Sequence, residues 1–333
     1  MKYFKENINE IEQNHLFNKI INSNKTPWFV TISFFVILLA ITIIHHPHWV
    51  VSEHDGLYFL NIGKQILSGN GANVKLVDAP IGGPIIFASL DLIFHDGFNI
   101  MKIISLLSGT GIVFFSYYII RNIFSAKIAL IAQLFVAFNP RLEILSMSAV
   151  NGLLPILFIF MGLYFVTKDR TRLLDYALCG VFLGASFMIR YQALPVLLGV
   201  LIFLLIRNKN IKLNFKIVLI VLIFFIFTAT PLFAYNLTTF DKIIDSEPNV
   251  YPTLFYSYQT PQWHQYMENA VISNERMAIF NDSEIFLKNY SDNLFYNNPN
   301  ILFNFGTFSS ASIIPIIPFI SLIPVFCGLL YVL

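Results

Sequence analysis

Glu53 and Asp55 stand at the head of an amphipathic run, SEHDGLYFLNIGKQILSGNG, over residues 52–71. A carboxylate at the entrance of a helix lying on a membrane surface can take the proton of an incoming hydroxyl, the task of a general base. Asp55 could equally serve as the N-cap of that helix. Arg190 is the other residue of chemical interest, set between GVFLGASFMI and YQALPVLLGVLIFLL with no room for a solvent loop. An arginine at membrane depth costs about 2.5–3.5 kcal/mol at the bilayer centre and less near the interface, so an anion is expected beside it. Glu143 is one candidate for that anion, and a lipid phosphate held by the guanidinium fork is the other. His45, His46 and His48 lie close together, but without the ordered spacing of zinc ligands, and they read as interfacial residues beside Trp49.

These side chains need elements to position them. Tyr58, Ile62 and Ile66 fall at i, i+4 and i+8, one stripe of a surface helix, and Gly69 and Gly71 mark its end. Residues 80–95, PIGGPIIFASLDLIFH, form a second apolar stretch, too short for a span of about 20 residues and interrupted by Gly82, Gly83, Pro84 and Asp91. The stretch is expected to be a second interfacial or re-entrant helix that does not cross.

Composition fixes the class. Of 333 residues 56% are hydrophobic and 12% charged, and mean hydropathy is +0.68. An average soluble domain carries roughly 25% charged residues, so this is an integral membrane protein. The net charge of +2 comes with no dense basic cluster, and no nucleic-acid partner is expected. Cys179 and Cys327 both lie in apolar runs, as packed hydrophobes would.

The expected organisation is a cytosolic segment over 1–27, with an amphipathic helix plausible over 8–21. A transmembrane module follows over 28–235, carrying a first exterior loop at 46–98. An exterior segment covers 236–310, and a last transmembrane helix covers 311–333. Spans are expected at 28–45 and about 100–120, 127–139, 148–167, 173–189, 191–206 and 214–235. The chain stops inside an apolar run, as a truncated chain would. With 80–95 not crossing, 13 of the 21 Lys and Arg residues face the cytosol, in the tail and in the loops at 121–127, 168–172 and 207–216. A crossing 80–95 would leave 10 inside and 11 outside, against the positive-inside tendency. Glu53, Asp55, Lys75, Asp78, Arg141, Glu143 and Arg190 then share the exterior face. Asn-X-Ser/Thr triplets at Asn236, Asn281 and Asn289 fall on that side as well.

The order of EHDGLYFLNIGKQILSGNG, DAPIGGPIIFASLDLIF, the Arg121–Lys127 loop, NPRLEILSMSAVNGLL, LGASFMIRYQAL and TPLFAYN resembles the GT-C superfamily of membrane glycosyltransferases. The similarity is greatest to the branch of protein O-mannosyltransferases and lipid A aminoarabinose transferases, and it covers about residues 28–236. The resemblance implies an all-α polytopic bundle whose first exterior loop carries interfacial helices. It implies transfer of a sugar from a polyprenyl-phosphate carrier to a protein, lipid or glycan acceptor on the non-cytosolic face of the plasma membrane. It places Asp55, with Glu53, in the catalytic role, and Arg190, Lys75 and Arg141 at the donor phosphate, with no cofactor. The chain departs from the pattern in three places. Its acidic pair is Glu53-x-Asp55 instead of adjacent Asp-Glu, its proline pair is Pro80-Ile81, and Ala79 stands where a basic residue is usual, leaving Lys75 as the nearby substitute.

Two alternatives follow from the same residues. A metal-dependent, oligosaccharyltransferase-like enzyme would use Glu53, Asp55 and His48 or Asp96 as ligands of a divalent ion, but no WWDYG-type motif is present. A transporter or lipid-binding protein would need charges lining a path at the midplane, and Asp175 and Lys102, near span ends, do not form one.

Overall fold

The computed structural model describes residues 23, 25–45, 53–70, 80–149, 152–168, 172–207, 210–241 and 243, together with 284, 287, 288 and 291. The side chains of Glu53, His54 and Asp55 and all of Lys75 lie outside the described part. So do the expected helix over 8–21, residues 46–52 and the final span over 311–333. The chain divides into two compact units, 1–75 with 79–241 and 76–78 with 242–333.

Every element among the described residues of the first unit is helical. In order they are α1 (Thr26–His45), α2 (Glu53–Gln65), α3 (Gly82–Phe94), α4 (Gly97–Ile123), α5 (Ala126–Ala137), α6 (Pro140–Met147), α7 (Leu153–Thr167), α8 (Leu173–Ile189), α9 (Ala193–Arg207) and α10 (Ile211–Phe240). Among them α1, α4 and α10 are long and apolar enough to cross a bilayer alone. Helices α5 and α6 meet at a 56° bend and together could make a fourth span. Pro140, at the first position of α6, cannot continue the α5 ladder. Asn139 caps the new helix, its Oδ1 accepting from the backbone N–H of Arg141 at 3.0 Å and of Leu142 at 3.2 Å. Helices α7, α8 and α9, read as spans in the sequence, have 15, 17 and 15 residues. They rise about 22–26 Å against a hydrocarbon core of about 30 Å.

Side-chain contacts show the helices alternating in direction. Gln133 of α5 donates to Pro27 O (3.0 Å) and Thr31 Oγ1 (3.1 Å) near the start of α1. Asn122 at the end of α4 donates to Thr167 at the end of α7, at 3.4 Å. The Arg207 guanidinium closes α9 onto the carbonyls of Val166 (2.7 Å) and Lys168 (2.9 Å). Lys168 in turn pairs with Asp175 at the start of α8, at 2.8 Å. Lys25, Arg121, Lys127, Lys168, Arg172, Arg207 and Lys212 therefore gather at one end of the bundle. Helices α2, α3 and α6, the Arg190 turn and the end of α10 lie at the other. At mid-depth, small residues let backbones approach. A Cβ at Gly184 would lie 2.7 Å from the Phe225 carbonyl oxygen, so α8 and α10 can pack as closely as they do only with glycine there.

Three local expectations shift. The buried stripe of α2 runs through Gly56, Phe59, Leu60, Ile62 and Gly63, while Tyr58 is 41% exposed. The stripe follows the glycines, where α2 comes closest to its neighbours, with Phe59, Leu60 and Ile62 packed beside them. Helix α10 runs on to Phe240, beyond the expected end near 235, with Pro231 inside it. Asn236 is consequently helical and 2% exposed, and its Nδ2 donates to the Tyr191 hydroxyl at 3.4 Å. That triplet is no surface acceptor.

Candidate active site

The non-basic end carries a platform built from α2 and α3. Helix α2 starts at Glu53, so Asp55 is its third residue and lies inside the first turn instead of at the cap. Carboxylates in a first turn are favoured by the helix dipole. Helix α2 ends in a π-turn over Ile66–Asn70, where Gly69 takes φ 84° and Ser68 Oγ donates to Gln65 O at 2.9 Å. The expected glycine stop is thus in place.

Helix α3 opens with a fully buried Pro80–Pro84 stretch, which is why its glycines and prolines stand where they do. It stops at His95, in the left-handed region with φ 56°, whose N–H returns to Asp91 O at 2.8 Å. Thirteen residues give it about 20 Å, against a hydrocarbon core of about 30 Å. The two helices run antiparallel. Gly63, late in α2, meets the Pro84 carbonyl at the start of α3. Lys64 Nζ lies 2.7 Å from Asp91 Oδ2 across the pair. That hydrogen-bonded ammonium holds the Asp91 carboxyl below the ordinary carboxylate range, outweighing the opposite push of burial.

Each end of the platform rests on the bundle. At its beginning, Gly56 touches the Ala149 carbonyl and the Met101 side chain of α4. A Cβ at Gly82, at the head of α3, would sit 2.6 Å from the Met188 carbonyl oxygen, two residues before Arg190. The start of α2 thus rests on α4 and Ala149, and the head of α3 rests on the end of α8 beside the Arg190 turn.

Arg190 is the C-cap of α8, with extended backbone and its N–H bonded to Ser186 O at 2.8 Å. Its turn is fixed by Tyr191, which packs on Phe187 at 5.2 Å between ring centroids and accepts from Asn236. The arginine is half-buried. Glu143, its possible protein partner, is half-buried and forms no ion pair among the described residues. Arg141 is exposed at the start of α6. Among the described residues no three His, Cys, Asp or Glu side chains form a group able to hold a metal ion. Sequence reasoning missed the Lys64–Asp91 tie and the glycine contacts. An i-to-neighbour pattern on one helix carries no signal of a partner 27 positions later.

Comparison with known proteins gives a family match. Residues 78–233 match the family model for dolichyl-phosphate-mannose-protein mannosyltransferase. The matched stretch runs from the approach to α3 into α10, so it includes Arg141 and Arg190 and leaves out Glu53, Asp55 and Lys75. No curated protein and no solved structure matches the chain. Over the matched stretch this helical membrane protein is mannosyltransferase-like, similar to glycosyltransferases that draw on a polyprenyl-phosphate sugar.

Proposed function

We propose that the chain transfers a sugar from a polyprenyl-phosphate donor to a protein, lipid or glycan acceptor on the non-cytosolic face of the plasma membrane. The observation that carries the reading is the mannosyltransferase match over 78–233. The position of the α2–α3 platform supports it: the platform lies at the end of the bundle opposite the basic loops, the end that the positive-inside tendency assigns to the exterior. In this reading Asp55, with Glu53 beside it, takes the proton of the acceptor hydroxyl. The hydroxyl oxygen bonds to the anomeric carbon, the bond from that carbon to the phosphate oxygen breaks, and polyprenyl phosphate leaves with the bonding pair. Arg190, with Arg141 and Lys75, takes up the charge that develops on the leaving phosphate.

The test is transfer of mannose from a polyprenyl-phosphate mannose by the purified protein, with peptide, glycolipid and glycan acceptors offered separately. Turnover that survives EDTA favours this reading, and loss of turnover with EDTA favours the metal-dependent alternative. No turnover with any acceptor, while the lipid still binds, favours a lipid-binding or transport role.

A further inference from the structure

Between the C-terminal part of α1 and the N-terminal part of α4 lies a cleft of about 370 Å³, lined by Leu39, Thr42, Ile43, Asn99, Lys102, Ile103 and Leu106. Lys102 is 5% exposed. Its ammonium sits 4.4 Å from the centroid of the Phe98 ring and forms no hydrogen bond or ion pair among the described residues. The nearest acid in sequence, Asp96, is engaged as the α4 cap, accepting from Asn99 N at 3.3 Å and Asn99 Nδ2 at 2.7 Å. Among the described residues the ammonium has no carboxylate partner, and the cleft that Lys102 lines is otherwise largely aliphatic. The ring contributes a weak attraction and does not replace an anion.

We propose that this cleft binds the phosphate group of a lipid, with Lys102 as the anion-binding residue and the lipid tail lying along Leu39, Ile43, Ile103 and Leu106. A tailed phosphate is favoured over a free one because most of the lining is aliphatic, and because Ile43 (67% exposed) and Ile103 (54%) continue the apolar surface outward. Gly56 of α2 rests on Met101, the residue before Lys102. The inference rests on the sugar-transfer reading only in naming the tail as isoprenoid. In that setting the cleft is a docking place for the carrier phosphate, separate from the Arg190 turn.

The experiment measures binding of a short-chain polyprenyl phosphate to the full chain in detergent, with no sugar and no acceptor present. The same isoprenoid as its alcohol, phosphatidylglycerol and inorganic phosphate are the comparison probes. Lys102→Met removes the charge and keeps an apolar side chain of similar length, so the unliganded protein should melt no lower than the wild type. Its affinity for polyprenyl phosphate should fall by about 10- to 100-fold, and Lys102→Arg should restore most of it. The alcohol and inorganic phosphate should bind at least tenfold more weakly to the wild type. Unchanged affinity in a folded Lys102→Met protein would overturn the proposal. Equal, Lys102-dependent binding of phosphatidylglycerol would overturn the isoprenoid assignment. Phosphate binding without any sugar transfer would leave the cleft standing and count against the proposed reaction.

Discussion

Lys64 Nζ and Asp91 Oδ2 meet at 2.7 Å, tying the two helices of the platform that carries Asp55. Lys64 is 47% exposed in its side chain and Asp91 12%, so the pair is partly screened and worth about 0.2–1 kcal/mol. Its main effect is to fix the register of α2 on α3. Because the Asp91 carboxyl is held below its ordinary range, its contribution is present above the unfolded value. It is lost as pH falls through the depressed folded one. Asp91→Asn should therefore lower thermal stability slightly at neutral pH, and the difference from the wild type should vanish in strong acid. Melting curves of the two proteins at neutral and low pH measure this.

The glycines of α2 offer a sharper contrast. A side chain at Gly63 would strike the Pro84 carbonyl and Ala88, and neither is a flexible end that can swing away. Gly63→Leu should cost about 1–3 kcal/mol and separate the two platform helices, with sugar transfer falling further than stability. Gly69 has open space around it, and only its φ of 84° opposes a side chain. Gly69→Ala should cost about 1 kcal/mol and leave transfer nearly intact. Paired melting and transfer assays separate the two variants.

The alternation of helix ends predicts opposite accessibility for two exposed positions. Asn210, between α9 and α10, belongs to the basic end, and Leu67 belongs to the platform end. In a background lacking Cys179 and Cys327, an impermeant thiol reagent applied to intact cells should label Leu67→Cys and spare Asn210→Cys. Labelling of Asn210→Cys from outside would reverse the orientation.

Arg190 is held at a turn whose geometry is set by Phe187, Tyr191 and Asn236. Arg190→Ala should weaken binding of the polyprenyl-phosphate sugar. Arg190→Lys should restore it only in part, because a point charge replaces a planar fork. Asn236→Leu removes the amide that donates to the Tyr191 hydroxyl, and should reproduce a fraction of the Arg190→Ala loss. Donor titrations of the three proteins compare them directly.

Much of this architecture is readable from the residues. The apolar runs are each long enough to announce a helix, and Gly69, Pro80–Pro84 and the short Arg190 turn punctuate them. The bend at Asn139–Pro140 was less visible, because hydropathy runs straight across a cap that only hydrogen bonding reveals. The α2 stripe was misplaced by about a quarter turn, since glycines count as blanks in a hydrophobic pattern while in the fold they mark the closest contact. Lys102 reads as an ordinary charge near a span end until the packing of α1 against α4 removes it from solvent. Pairings such as Lys64 with Asp91 depend on the register of two helices joined by a long loop, which no single helix encodes.

The central claim is sugar transfer with Asp55 as the base, and one comparison tests it most directly. Asp55→Asn keeps the size of the side chain and removes its capacity to hold a proton. With melting behaviour unchanged, the rate of mannose transfer from polyprenyl-phosphate mannose should fall by roughly 10²–10⁴-fold relative to the wild type. Transfer at the wild-type rate by a folded Asp55→Asn protein would contradict the account.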